Sequence, residues 1–462
     1  MRKLSLRLAT AVGMAGTLVA VAACSSGGGD GAGSGTDGLD AKAKVSITVG
    51  DYPTADKPED RAAFDKRIDA FEAANPNITV KPIAETWDAQ TFQAKLAGGT
   101  LPTVMGVSLT YSHELIANGQ VPDMTPYLEE LDLVKDLNPL ALDKVKDDSG
   151  KIYAIPTGLF SVGLAYNRAI FTKAGLDPDK PPTTWDEVRA DAKIIHDKVP
   201  GVAGYVQMTT NNTGGWMLTT MTYSKGGAVQ DEAGKKAVMG DPTVESLQLL
   251  HDMRWTDDSM GSQFLYDQDA ARQAFGAGKI GMMLQAPDIY DPITTQYGFD
   301  PKDFGQTALP QSNGENGTLT GGTLKLFNIK ATPNQLLAAA KWIKFYEFDK
   351  YYDKDVAIAD AKTNNANKKP VGLPSLPPVS DEVNQRYLEW IKPYINVPLA
   401  NFTGYTSSQL KLIPEPVAGT QQTYAALDPV VQKVLTDKNV DIQKTVDSAN
   451  KTVDGIIAQA SR

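Results

Sequence analysis

Val45-Ser46-Ile47-Thr48-Val49 alternates apolar and polar residues at period two, the pattern of a half-buried strand. The segments on its C-terminal side decide the fold. Residues 61–74 set Phe64, Ile68 and Phe71 on one face of a predicted helix that stops at Asn75-Pro76. Residues 78–83 return to strand character. Residues 88–97 predict a helix with Phe92 and Leu96 inward and Gly98-Gly99 as its stop, and residues 103–107 a third strand. Two strand–helix–strand units in succession predict a parallel sheet covered by helices, an α/β lobe.

Further along, residues 163–166 read as a strand, and Thr184-Trp185-Asp186-Glu187 is a capping box opening a helix to about residue 198. Asp241-Pro242 predicts an N-cap and first-turn proline for a helix to about 255. Next come a short helix over 268–277, a buried strand over 280–284 and a helix capped by Thr332-Pro333-Asn334-Gln335. From Asp381 the chain reads as mostly helical, broken by Pro393, Pro398, Pro414 and Pro416.

The N-terminus reads as an address. Arg2, Lys3 and Arg7 precede an uncharged apolar run to Ala23, about 24 Å long as a helix and short of the roughly 30 Å membrane core. This is the pattern of a secretory signal, residues 1–23. Val21-Ala22-Ala23-Cys24 resembles the bacterial lipobox, whose cysteine is acylated with diacylglycerol and becomes the mature N-terminus. Residues 24–44 are then a Gly/Ser-rich tether with too little apolar surface to offset its ordering entropy. The expected location is the outer face of the cell membrane, anchored at Cys24.

The whole chain has 462 residues, 42% apolar and 22% charged, enough for two or three domains. Its 45 basic and 55 acidic residues give −10, and loss of the signal moves this to −13, which argues against nucleic acid as a partner. One cysteine excludes an intrachain disulfide and a cysteine-based zinc site. His113, His196 and His251 lack metal-ligand spacing, so neither metal nor cofactor is expected. No phosphate loop, dinucleotide fingerprint, nucleophile elbow or zinc-protease motif occurs.

Ligands of open α/β sheets bind beyond the carboxyl ends of strands. Those ends here run into Asp51-Tyr52, Glu85-Thr86-Trp87, and Ser108 with Tyr111. Aromatic faces beside hydrogen-bonding groups suit a sugar, whose C–H faces pack on rings while its hydroxyls demand polar partners. That Tyr52 and Trp87 are packing residues stays open.

The second half carries a resemblance. Tyr153-Ala154-Ile155-Pro156-Thr157-Gly158, Leu164-Ala165-Tyr166-Asn167-Arg168, Phe171-Thr172-Lys173-Ala174-Gly175-Leu176 and Thr183-Thr184-Trp185-Asp186-Glu187 resemble the extracellular solute-binding proteins of ABC importers. The similarity is to the sugar-binding group related to maltose-binding protein. Ala274-Phe275-Gly276-Ala277-Gly278-Lys279-Ile280-Gly281-Met282, Leu309-Pro310, Gly321-Gly322 and Ile329-Lys330 extend it.

The resemblance implies a two-lobed periplasmic-binding-protein-like fold (type II), each lobe a mostly parallel sheet flanked by helices. Lobe one is expected at 45–155 plus 305–350, lobe two at 156–304 plus 351–462. It implies a monomer that closes on a carbohydrate ligand and delivers it to membrane permease subunits. The implied contacts are Asp51, Tyr52, Glu85, Trp87, Ser108, Tyr111, Phe160, Trp216 and Gly322, with Asp288 where relatives place a stacking Trp. Asp288 points to a shorter sugar, or an amino or basic ligand. Other readings are a polyol or cationic solute on the same fold, a cell-surface carbohydrate-active enzyme, or a sensing subunit.

Overall fold

The computed structural model describes residues 39–40, 42–88, 91–312 and 314–460. The expected signal, Cys24 and most of the tether lie outside them. Ten strands form two sheets. The first contains β1 (Val45–Val49), β2 (Ile78–Pro82), β3 (Val104–Ser108), β4 (Ala154–Ser161), β9 (Thr318–Phe327) and β10 (Leu412–Pro414). The second contains β5 (Gly163–Asn167), β6 (Ala203–Val206), β7 (Ile280–Gln285) and β8 (Phe304–Ala308) in the order β6-β7-β5-β8.

β1 pairs in parallel with both β2 and β3, as the alternating pattern predicts. The helix between the first two strands, Pro58–Ala74, buries Phe64, Ile68 and Phe71. Its two phenylalanine rings meet Trp342 of the helix Pro333–Ile343, and Trp342 stacks on Tyr346 at 5.1 Å. Both predicted capping boxes, at Thr184 and Thr332, are formed in full. Asp241 differs: it is the first residue of its helix, and Gly240 is the N-cap, without a side-chain bond.

Two strands tie the lobes together. β4 runs antiparallel along β9 from Ala154↔Leu326 to Ser161↔Thr320. One residue later the chain is in β5 of the other sheet. That residue, Val162, donates its N–H to the Leu319 carbonyl at 3.0 Å and accepts from the Thr318 hydroxyl at 2.6 Å. The other edge of β9 is shared end to end by β3, at 323–327, and β10, at 318–320.

Two α/β lobes are therefore present, with mixed sheets: in the second sheet β5 is antiparallel to both β7 and β8. The expected lobe boundaries need correction in two places. Residues 305–308 pair with β5, so the chain stays in the second sheet through β8 and returns after it. Tyr351, Val379 and Val383 pack in the core of the first sheet, whereas Val397, Phe402, Leu427 and Val431 pack in that of the second. The core thus changes near residue 390, and the chain beyond Tyr351 is divided between lobes.

Trp216 sits on the helix Thr213–Ser224, which packs closely along Thr420–Thr436. Gly215 permits that approach: a Cβ there would lie 2.3 Å from the Tyr424 carbonyl oxygen. Gly215→Ala is expected to cost about 1–3 kcal/mol by overpacking, read as a lowered melting temperature. Gly455, mid-helix in Ile442–Ala460, would meet nothing within 4 Å. Gly455→Ala should raise stability by about 0.5–1 kcal/mol in the same measurement.

Candidate functional site

Asp51 comes after β1 with a φ of +62°, in the left-handed region that most side chains avoid. Its carboxylate explains the position: Oδ2 accepts from the Gly106 N–H at 2.8 Å and from Lys325 Nζ at 2.9 Å. Lys325, on β9, also reaches Glu347 at 3.0 Å. Burial alone would lower the Lys325 ammonium, but the Glu347 and Asp51 carboxylates outweigh it and raise its pKa above the ordinary value. Glu347 lies in a single π-helical turn, Lys344–Phe348, that continues the helix of Trp342.

Tyr52 turns toward its own lobe. Its ring meets Phe64 edge-on at 5.4 Å with Arg61 over it, and its hydroxyl donates to Asp65. Glu85 is held by Lys95 at 2.5 Å. Trp87 packs edge-on against Tyr111 at 6.1 Å, and Tyr111 lies 4.7 Å from Phe92. Tyr111 is only 2% exposed, a core residue of the first lobe. Burial first, then Glu114, pushes its hydroxyl up to about 12. Ser108 caps the turn Leu109–Tyr111 and lies opposite Thr323 of β9.

At the hinge strands the arrangement changes character. Phe160 on β4 lies 6.3 Å from Trp216 in an edge-on pair, so one ring comes from the hinge and one from the second lobe. The helix bearing Trp216 is capped from outside: Asp428 accepts the Asn212 N–H at 2.8 Å and the Gly215 N–H at 3.0 Å. Burial raises the Asp428 pKa even against those backbone donors. Asn212 and Asn211 both adopt positive φ on entering the helix.

The lobes also touch here. Gln421 donates to the Thr110 hydroxyl at 3.3 Å, and Asn212 donates to Gln421 at 3.0 Å. A chain of side chains therefore runs from the loop after β3 to the turn before Trp216.

Three of the expected contacts are placed otherwise. Asp288, mostly exposed, forms an ion pair with Arg272 and so is not a free acceptor. Gly322 is buried under β4, and a Cβ on it would lie 2.3 Å from the Gly158 carbonyl oxygen. Its glycine is required by strand packing. Tyr111 belongs to the first core, against Phe92.

Sequence reasoning missed Glu415 and Tyr424. Glu415 stands between Pro414 and Pro416, a stretch read only as a helix break, and Tyr424 lies in the helix beneath Trp216. Tyr424 donates its hydroxyl to Glu415 at 3.1 Å. Burial pushes the Glu415 carboxyl up to about 8, against the Tyr424 hydrogen bond. A charged residue fixed between two prolines was the one available signal.

A groove of about 1500 Å3 adjoins the hinge strands at Ser161 and Thr318, with Phe64 and Glu347 on one wall and Tyr405 on another. None of the expected contact residues lines it. Among the described residues no group of His, Cys, Asp and Glu could hold a metal ion, and no helix is long and apolar enough to cross a membrane.

Comparison with known proteins accounts for this architecture. A protein of Brucella abortus (strain 2308), provisionally named a binding protein, is 25% identical over 283 residues, 60% of this chain and 65% of the relative. The chain thus covers under two thirds of that relative's length. The melibiose/raffinose/stachyose-binding protein of Bacillus subtilis (strain 168) is 29% identical over 160 residues, 34% of this chain and 35% of its own. Among solved structures, a Mycobacterium tuberculosis protein in complex with glycerophosphocholine superposes with a TM-score of 0.70 at 18% identity. The match covers 90% of this chain and 100% of that one, and it speaks for the fold. The family model for bacterial extracellular solute-binding proteins matches residues 54–373, and the chain belongs to that family.

Proposed function

We propose that this protein captures a sugar or oligosaccharide between its lobes, outside the membrane, and hands it to the permease of an ABC importer. The observation that carries the reading is the meeting of Phe160 with Trp216, beside Glu415, where the hinge strands meet the second lobe; Tyr424, itself buried, holds Glu415 from beneath. Aromatic faces beside a few convergent polar groups are what a saccharide needs. The saccharide named for the Bacillus subtilis relative agrees with it.

The contacts divide by what each residue is free to do. Trp87 and Ser108 would serve from the first lobe, Phe160 from the hinge and Trp216 from the second lobe. The indole N–H of Trp87 is buried and has no hydrogen-bond partner among the described residues. Asp51 and Glu85 are each committed to a lysine, so they would shape the loops that hold the ligand. Tyr52 would do the same through Asp65.

Closure is the functional step. A ligand that touches both lobes binds the closed form more tightly and shifts the population toward it. The permease would read that form, so capture is coupled to delivery without covalent chemistry. Cys24 would carry the lipid that anchors residues 24–44 as a leash, and the protein would act as a monomer without a cofactor.

A thermal-shift screen against mono- and oligosaccharides tests the reading. A saccharide at a hundredfold excess over Kd should add about 2.7 kcal/mol of stability. A screen in which every saccharide leaves the melting temperature unmoved would overturn it.

Trp216→Ala and Trp87→Ala should each weaken the best saccharide by about tenfold or more, or about 1.4 kcal/mol, with the circular dichroism spectrum unchanged. Titration calorimetry reads this directly, and unchanged affinity in both variants would remove the stacking argument.

A further inference from the structure

Among the described residues, Glu415 lacks the kind of cation that pairs with Asp51, Glu85 and Asp288. Its backbone is fixed on both sides, by the pairing of Pro414 with Thr320 on β9 and by Pro416. A Cβ built on Gly321 would lie 2.7 Å from Glu415 Oε2 and 2.8 Å from the tip of the Phe160 ring. Carboxylate oxygen and ring edge therefore share the space over one glycine, with Trp216 beside them.

The other oxygen of Glu415 accepts from the Tyr424 hydroxyl at 3.1 Å. The titratable groups facing the carboxyl are Tyr424 and Tyr223, and Tyr223 donates its hydroxyl to the Pro414 carbonyl at 3.1 Å. No lysine, arginine or histidine among the described residues forms an ion pair with it. Asp51 has Lys325, Glu85 has Lys95 and Asp288 has Arg272. Glu415 is left with one neutral partner among aromatic rings.

A half-buried carboxylate with no cation beside it gains from a cation or holds its proton more tightly. The hydroxyls of a neutral sugar supply hydrogen bonds only. An ammonium group supplies a charge-assisted bond to the carboxylate, and nearby rings favour a cation further. We propose that Glu415 is the specificity-determining residue of the cleft and that it selects a saccharide bearing a protonated amino group over its neutral counterpart. This deepens the saccharide reading and rests on it.

The proposal has a proton balance. Burial holds the Glu415 carboxyl protonated up to about pH 8 in the ligand-free protein. On meeting an ammonium it ionises and releases that proton to solvent, while the amine keeps its own. Binding of the amino ligand is thus coupled to proton release, and binding of the neutral ligand is not.

The test is titration calorimetry of the full chain at about pH 6 with glucosamine, glucose and their β-1,4-linked dimers and trimers, in two buffers of different ionisation enthalpy. The expected result is about tenfold or greater preference for the amino saccharide at equal length, with a proton released on binding. Glu415→Gln should abolish the preference and the proton release. Glu415→Asp should retain a weakened preference.

Equal affinity for amino and neutral saccharides overturns this proposal and leaves the saccharide reading standing. So does a preference that survives in Glu415→Gln. If neither class binds at any of these lengths, this proposal falls, and the thermal-shift screen alone decides the saccharide reading.

A ligand-free readout guards against a variant that folds poorly. The folded state holds the Glu415 proton up to about pH 8, whereas the unfolded chain releases it near the ordinary 4.5. Stability should therefore be fully present below about pH 4.5 and fall as pH rises through about 8. The melting temperature of Glu415→Gln should lack this component, and identical pH profiles for the two proteins would place the carboxyl in water.

Discussion

The antiparallel pairing of β4 with β9 is the interaction on which the rest of the molecule depends. It fixes register over seven paired residues and then gives way within one residue, Val162, to a strand of the other sheet. β9 likewise succeeds β8 of the second sheet by a short connection. The crossings at Val162 and ahead of Thr318 lie side by side. The few hydrogen bonds at that point, Val162 to Leu319 and Thr318 to Val162, hold the hinge together while leaving little to resist a small rotation.

The strands that make the hinge also make the site. Because β3 and β10 share the free edge of β9, the loop after β3 and the Pro-Glu-Pro segment after β10 are delivered to the same strand from opposite lobes. The glycines of β9 serve this geometry. Gly322 lets β4 approach, and Gly321 leaves room for the Phe160 ring and the Glu415 carboxylate above it. Closer to the first core, Lys325 draws Asp51 and Glu347 together and pins the loop after β1 to the helix that carries Trp342. Removing the half-buried lysine would leave the Asp51 and Glu347 carboxylates facing each other without a cation. The loop after β1 is thereby pinned to the first lobe.

How far sequence alone reaches depends on the range of the forces involved. Residues 45–107 were legible because each signal is local: alternation for β1, helical spacing of Phe64, Ile68 and Phe71, and stops at Asn75-Pro76 and Gly98-Gly99. The capping boxes at Thr184 and Thr332 were legible for the same reason. The direction of β5 against β7 and β8 was not, since strand direction depends on partners more than a hundred residues away. The lobe assignment of residues 351–391 failed likewise. Tyr351 and Val383 are apolar helix residues that would suit either core, and only packing decides between them.

The candidate site shows the same division more sharply. Trp216 and Phe160 came from the family resemblance, and they do meet. Tyr111 was not separable from them, because an aromatic after a strand reads alike whether it faces a cleft or Phe92. Asp288 and Glu415 make the strongest contrast. Each is a single carboxylate beside a proline, and sequence draws the eye to Asp288 because the family resemblance implies an aromatic there. Arg272, sixteen residues earlier on the helix Gln268–Gly276, neutralises it. Glu415 has no such neighbour on its own segment, and the groups that surround it, Phe160, Gly321 and Tyr424, come from three other elements. Whether a carboxylate is spent on structure or left for a ligand is decided by the cation beside it, and that cation is a property of the fold.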